Sequence, residues 1–213
     1  MKREKGSKMS DLKENLLSWT EEFGRFNAPT WDALPDIDLY MDQVITYMER
    51  QLSVFAKKQD DKRSVPSITP SMINNYVKNE MIPRPVQKKY TREHLAYLLA
   101  ICHLKQVLPL SDIAGIFRHQ AENSTISELF NLFKGIQEET LHLVSERVRD
   151  TVNTAASDES EISFNDSMRL LALKLSMEAN ASRIAAEFIL SRLDMPQAAP
   201  SQEKEKPKSP EKG

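Results

Sequence analysis

The sequence predicts an all-α protein, and three observations carry that expectation. Glycine is scarce, 5 in 213 residues, which disfavours sheet-rich and loop-rich folds. Leu, Ala, Glu, Lys, Gln and Met are abundant, and all of them favour helix. Apolar residues recur at three- and four-residue spacing, with helix-start signals at Thr69-Pro70, Thr91 and Thr125-Ile126-Ser127-Glu128. The last places Thr and Glu three residues apart, as a capping box requires.

The elements follow in order. Residues up to about Ser10 are expected to fray. A first helix runs from Asp11 to about Phe26, with Leu12, Leu16, Trp19 and Phe23 on its apolar face, and Asn27-Ala28-Pro29 stops it. A second runs from Pro35 to Lys57 on Leu39, Val44, Met48, Leu52 and Phe55. A polar loop, Gln59 to Ser64, separates it from a short helix opened by Thr69 and ended by about Glu80. Pro83 and Pro85 forbid its continuation. Helices Arg92–Val107 and Leu110–Arg118 come next, divided by Pro109. A long helix from Thr125 to Ala155 carries Ile126, Leu129, Phe130, Phe133, Ile136, Leu141, Val144, Val148 and Val152 along one stripe. After the polar break Ser157–Glu161, a last helix runs from Phe164 to Leu193 on Met168, Leu171, Leu175, Ile189 and Leu193. Beyond Pro196 the chain turns to Pro, Ser, Lys, Glu and Gly, which cannot bury enough apolar surface to order itself.

Composition narrows the function. Apolar residues make up 40% and charged residues 28%, so the chain can bury a core without staples. Cys102 is the single cysteine, which excludes an intrachain disulfide and a thiolate metal cage. It lies in an apolar run and is expected to be packing. His94, His103, His119 and His142 are scattered, with no pair one helical turn apart, so no metal site and no cofactor are expected. No Gly-rich phosphate loop or nucleophile elbow occurs, so the chain is not expected to be an enzyme. No run nears the ~18 apolar residues of a membrane span, and no apolar stretch follows the charged start, so a cytoplasmic protein is expected.

The net charge is −2, but its distribution is uneven. From Asp11 to Asp42 acids dominate; from Lys62 to Arg92 the sign reverses, with only Glu80 opposing. Asp36 and Asp38 read as helix-start acids that complement the macrodipole. On the short helix after Thr69, Ile73, Tyr76 and Val77 share one face, and Ser71, Asn74, Asn75 and Lys78 share the other at i, i+3, i+4 and i+7. Asn can pair with an adenine edge, and Ser and Lys can reach bases or phosphates. The following stretch, Met81 to Arg92, reads as a short wing with Ile82 and Tyr90 turned inward. Arg84, Lys88, Lys89 and Arg92 would then point outward to phosphates, giving affinity and register.

The runs Thr69–Pro85, Lys89–Ala96 and Leu104–Ala114 resemble the DNA-binding domain of the MerR family. Tyr76, Ile82, Pro83, Tyr90 and Ile113 fall on that family's recognition-helix, turn, wing and second-helix-pair positions. The chain departs from the pattern at Asn74 and Asn75, where the family usually has Arg and Tyr, at Glu80 in place of the turn glycine, and at Pro109 in place of a capping Ser. Over a longer stretch, about Trp31 to Val144, Leu34–Ile45 and Ser71–Val77 resemble a bacterial family known as domain of unknown function 1836.

The resemblance implies a winged helix-turn-helix over residues 29–120, after a helical extension over 1–28 and before a helical region over 121–195 and a disordered tail over 196–213. It implies a transcriptional regulator that binds double-stranded DNA through Ser71, Asn74, Asn75, Lys78, Arg84, Lys88, Lys89 and Arg92. A homodimer is expected, joined through the roughly 45 Å helix from Thr125 to Ala155. The competing expectation for that stripe is that the last helix of the same chain folds back on it. The alternative function is a non-enzymatic adaptor that binds another protein and keeps the helix-turn-helix only as a scaffold.

Overall fold

Three helices in this chain open on local side-chain caps. The computed structural model describes residues 2–53, 68–121, 124–157 and 160–193. Among them the chain is all-helical: α1 (Lys2–Gly24), a 3₁₀ turn (Trp31–Ala33), α2 (Met41–Leu52), α3 (Pro70–Lys78), α4 (Arg92–Leu104), α5 (Leu110–Ala121), α6 (Ile126–Ala156) and α7 (Glu161–Leu193). The expected loop at 59–64, the end of the second helix beyond Ser53, and the tail at 196–213 lie outside the described residues.

The three start signals act as caps. Thr69 Oγ1 accepts the Met72 N–H at 3.2 Å. At Thr125 the box is reciprocal: Glu128 N–H donates to Thr125 Oγ1 at 3.3 Å, and Thr125 N–H donates to the Glu128 carboxylate at 2.8 Å. The Thr125 N–H and the Thr125 hydroxyl, which also donates to the carboxylate at 2.8 Å, hold the Glu128 carboxyl below its ordinary range. At Thr91 the partner is an imidazole, since the Thr91 N–H donates to His94 Nδ1 at 3.0 Å.

Two starts differ from the expectation. α1 begins at Lys2, not Asp11; Lys2 to Ser10 contain one glycine and no proline, so nothing there interrupts a helix. α2 begins at Met41, not Pro35, because residues before it are extended. Leu39 and Tyr90 exchange both backbone hydrogen bonds, at 2.9 and 2.8 Å, as an antiparallel pair. Asp36 and Asp38 therefore precede the helix and do not serve its first turn; Asp42 does.

Two apolar clusters form the interior. The first gathers Val44, Met48 and Leu52 from α2, Ile73 and Tyr76 from α3, and Ile113 and Phe117 from α5 around α4. Every residue from His94 to Cys102 is buried, so α4 is the central helix, apolar on nearly all sides. Burial raises the Cys102 thiol to about 11, which leaves it a packing group. The second cluster joins Val148 and Val152 of α6 to Phe164 and Leu171 of α7, with Met9, Leu16 and Leu17 of α1 against them. α6 spans both clusters, because Phe130 near its start belongs to the first.

The packed face of α1 is therefore only partly the expected one: Leu16 packs as expected, but Leu12 is exposed. Trp19 stacks on Phe23 at 4.5 Å and is 43% exposed. Thr20 is buried instead. The cause lies at Gly24, where a Cβ would overlap Ser145 Oγ on α6, so the two helices approach at that point. The α6 stripe is shared out in turn. Its C-terminal half meets α1 and α7, and Arg147 on α6 pairs with Glu178 on α7. The last helix thus does fold back on part of the stripe, while Leu132, Ile136 and Leu143 remain exposed.

Candidate nucleic-acid interface

α3 presents two faces. Ile73 and Tyr76 are buried in the first cluster, and Val77 is partly buried against it. Ser71, Asn74, Asn75 and Lys78 are all exposed. The Asn75 carboxamide oxygen accepts from Asn79 Nδ2 at 3.1 Å. Sequence reasoning missed Lys105, beyond the end of α4. It lines a recess of about 480 Å³ together with Ser71 and Asn75, a tertiary neighbourhood with no local signal.

α3 ends in a left-handed cap. Glu80 has φ 56°; its N–H reaches Val77 O at 3.2 Å, and the Met81 N–H reaches Tyr76 O at 2.9 Å. This is a Schellman arrangement, in which the left-handed residue is commonly glycine. Met81 and Ile82 are buried behind it, so the chain leaves α3 in a fixed direction. Arg84 is exposed and shares a recess of about 380 Å³ with Arg118 of α5.

The chain then reverses at Val86–Lys89. The Lys89 N–H donates to Val86 O at 2.9 Å, and Gln87 and Lys88 have φ 52° and 63°. Two successive left-handed residues make a primed hairpin turn. Neither is Gly or Asn, so the sequence carried no turn signal. Lys88 sits exposed at the tip. Lys89 leans back, its Nζ 5.7 Å from the centre of the Tyr40 ring. Tyr90 is buried and meets His94 edge-on at 5.3 Å. That imidazole, its pKa lowered by burial, also caps α4. The hairpin is thus held at its base by the Leu39 pairing and the Tyr90–His94 contact.

Arg92 stands apart from these cations. Its guanidinium lies 3.0 Å from Asp36 and 4.0 Å from Asp32, and 5.7 Å from the Trp31 ring centre. Its side chain is only 21% exposed. Ser71, Asn74, Asn75 and Lys78 thus share one exposed face of α3, whereas Lys88 stands at the tip of the following turn, Lys89 lies against Tyr40, Arg84 shares a recess with Arg118, and Arg92 faces the acids that precede α2.

Residues 29–135 match the family described as Domain of unknown function (DUF1836). The chain belongs to that family. The DUF1836 segment contains α2 to α5, the hairpin turn and the start of α6; α1, most of α6 and α7 lie beyond it. No curated protein and no solved structure matches the chain. Among the described residues, no helix is long and apolar enough to cross a membrane.

Proposed function

We propose that this chain is a sequence-specific regulator of transcription that binds double-stranded DNA in the cytoplasm through a MerR-like winged helix-turn-helix. α3 is the recognition helix and the Val86–Lys89 turn is a minimal wing. One observation carries the reading: an exposed polar face of Ser, two Asn and Lys on a short, well-capped helix adjoins a cation-bearing turn anchored at its base. Asn74 and Asn75 suit base edges in a major groove, while Lys78, Arg84, Lys88 and Lys89 suit flanking phosphates.

A single short recognition helix reads few bases, and two-fold pairing doubles them. The surface for a second copy is α7 as well as the open part of α6. Leu173, Met177, Ile184 and Phe188 recur along α7 and are 52–60% exposed, more than the scattered apolar residues of an ordinary surface. The homodimer proposed here uses that stripe.

The second reading is the protein-binding adaptor, and the Asp32–Asp36 pairing with Arg92 favours it, since one of the basic side chains beside the turn is neutralised internally. Anisotropy of a labelled random-sequence duplex, titrated with the full chain at low and raised salt, separates the two. Salt-sensitive binding whose log–log slope flattens by roughly two units in Lys88→Ala/Lys89→Ala supports the DNA reading. Absence of binding at low salt sinks it.

A further inference from the structure

α5 lies beside α3, and a recess opens at each end of the pair. At the start of α3, Ser71 and Asn75 share the recess of about 480 Å³ with Leu110, the first residue of α5, and with Lys105 in the turn before it. At the end of α3, Val77 and Glu80 share the recess of about 380 Å³ with Ala114, Phe117 and Arg118 of α5. Passing along α3 from Ser71 to Glu80 is therefore passing along α5 from Leu110 to Arg118, so the two helices run side by side in the same sense. Both are held on α4 by one apolar cluster, α3 through Ile73 and Tyr76 and α5 through Ile113 and Phe117. Each recess carries a cation that α3 does not supply.

Neither cation is sealed in the core. Lys105 is partly buried and Arg118 is exposed. A lysine stem lies along apolar surface while its ammonium stays in water, and Met72 and Leu110 give that surface here. Arg118 donates Nε–H to Ala114 O of its own helix at 3.4 Å, a bond that does not use its Nη groups. Arg84 joins it, so two arginines stand against the single acid of that recess, Glu80. At 1.5 Å per residue, Leu110 and Arg118 are about 12 Å apart along α5. The major groove of B-DNA is itself about 12 Å wide. With Asn74 and Asn75 of α3 turned into that groove, a cation stands beside each of its walls.

We propose that Lys105 and Arg118 are DNA-backbone contacts, each holding a phosphate on one of the two strands that border the groove entered by α3. The inference rests on the DNA reading and adds to it two residues from outside the recognition helix and the turn. The measurement is the slope of log affinity against log salt, read by anisotropy on a random-sequence duplex with the full chain. Lys105→Ala and Arg118→Ala should each weaken binding to all sequences and flatten the slope by roughly one unit, and by roughly two together. Lys105→Arg and Arg118→Lys keep the charge and should keep the slope. Arg169→Ala removes the same charge from α7, in neither recess, and should leave the slope as it was. Should Lys105→Ala fail to fold, Lys105→Gln, which keeps the stem, takes its place. On a duplex selected by the full chain, single methylphosphonates then neutralise one phosphate at a time. Within a half-site, those that weaken the wild type but not Lys105→Ala should lie on one strand, and those that spare Arg118→Ala on the other. Both sets on one strand overturn the proposal. So does a slope unchanged in both alanine variants, or flattened as much by Arg169→Ala, while the wild type still binds duplex; the DNA reading then stands. Absence of duplex binding by the wild type at low salt sinks that reading and this inference with it.

Discussion

The Arg92 guanidinium reaches the Asp36 carboxylate at 3.0 Å, tying the first turn of α4 to the extended residues before α2. The same junction holds the Leu39–Tyr90 backbone pair, so the base of the hairpin is fastened by a backbone link and a side-chain link. Asp36 is largely exposed, so the pair itself is worth roughly 0–1 kcal/mol, and the Trp31 face adds about 0.5–1 kcal/mol. Arg92→Ala should lower unfolding free energy by about 1–2 kcal/mol in urea titration while leaving the salt slope of duplex binding unchanged. A slope flattened as much as by a Lys88 substitution would return Arg92 to the DNA.

Asn74 tests readout rather than affinity. It is exposed on α3, so Asn74→Ala should leave the melting temperature unaltered. Against a selected operator it should cost about 1–3 kcal/mol and relax sequence preference. Equal losses on operator and random duplex would argue against base contact. Asn75→Ala is a less clean probe, because it also removes the acceptor of Asn79.

Much of the local structure is legible in the sequence, because caps and periodicity are short-range. Thr69, Thr91 and Thr125 begin the helices they should, and the two faces of α3 separate as the spacing dictates. The losses are non-local or chemically disguised. Where α2 begins is decided by the pairing of Leu39 with Tyr90, far along the chain. The face α1 buries is decided by Gly24 against Ser145. The ion pair of Arg92 with Asp36 cannot be read from a charge count. The primed turn at Gln87-Lys88 uses residues that carry no turn signature, and Glu80 occupies a glycine-favouring conformation without being glycine.

That conformation gives a stability prediction with a definite sign. A non-glycine residue at φ 56° costs on the order of 1–2 kcal/mol in the left-handed region, part of which glycine returns as unfolded-state entropy. Glu80→Gly should therefore raise stability by about 0.5–1 kcal/mol by thermal melt. A loss would show that the Glu80 side chain makes a compensating contact in solution.

Two helical glycines should respond oppositely to the same change. An Ala Cβ at Gly135 on α6 meets nothing within 4 Å, so Gly135→Ala should stabilise by ~0.5–1 kcal/mol through helix propensity. At Gly24, the last residue of α1, the Cβ would overlap Ser145 Oγ, and Gly24→Ala should destabilise by ~1–3 kcal/mol, with little helix-interior propensity to gain. Chemical denaturation of both variants checks the pair. Stabilisation at Gly24 would mean that α1 does not press on α6 there.

His103 makes stability depend on pH in a window set by its own shift. Burial lowers it from 6.5 to about 4. Between those values the unfolded chain binds a proton that the folded chain refuses, so stability is full above 6.5 and falls as the pH drops towards 4, with no further loss below. The shift bounds the effect at about 3–4 kcal/mol. His94 is lowered by burial too and adds to the slope in the same sense. The Glu128 carboxyl, held below its ordinary range by Thr125, contributes only in more acid solution, where stability is lost as that group protonates. His103→Leu should therefore flatten the urea midpoint between pH 6.5 and 4 without removing its dependence, and leave the more acid limb as it was. The Leu variant gives up the contact with Gln137, so absolute stability is not the measure; the slope is. An unchanged slope across that window would place His103 in water.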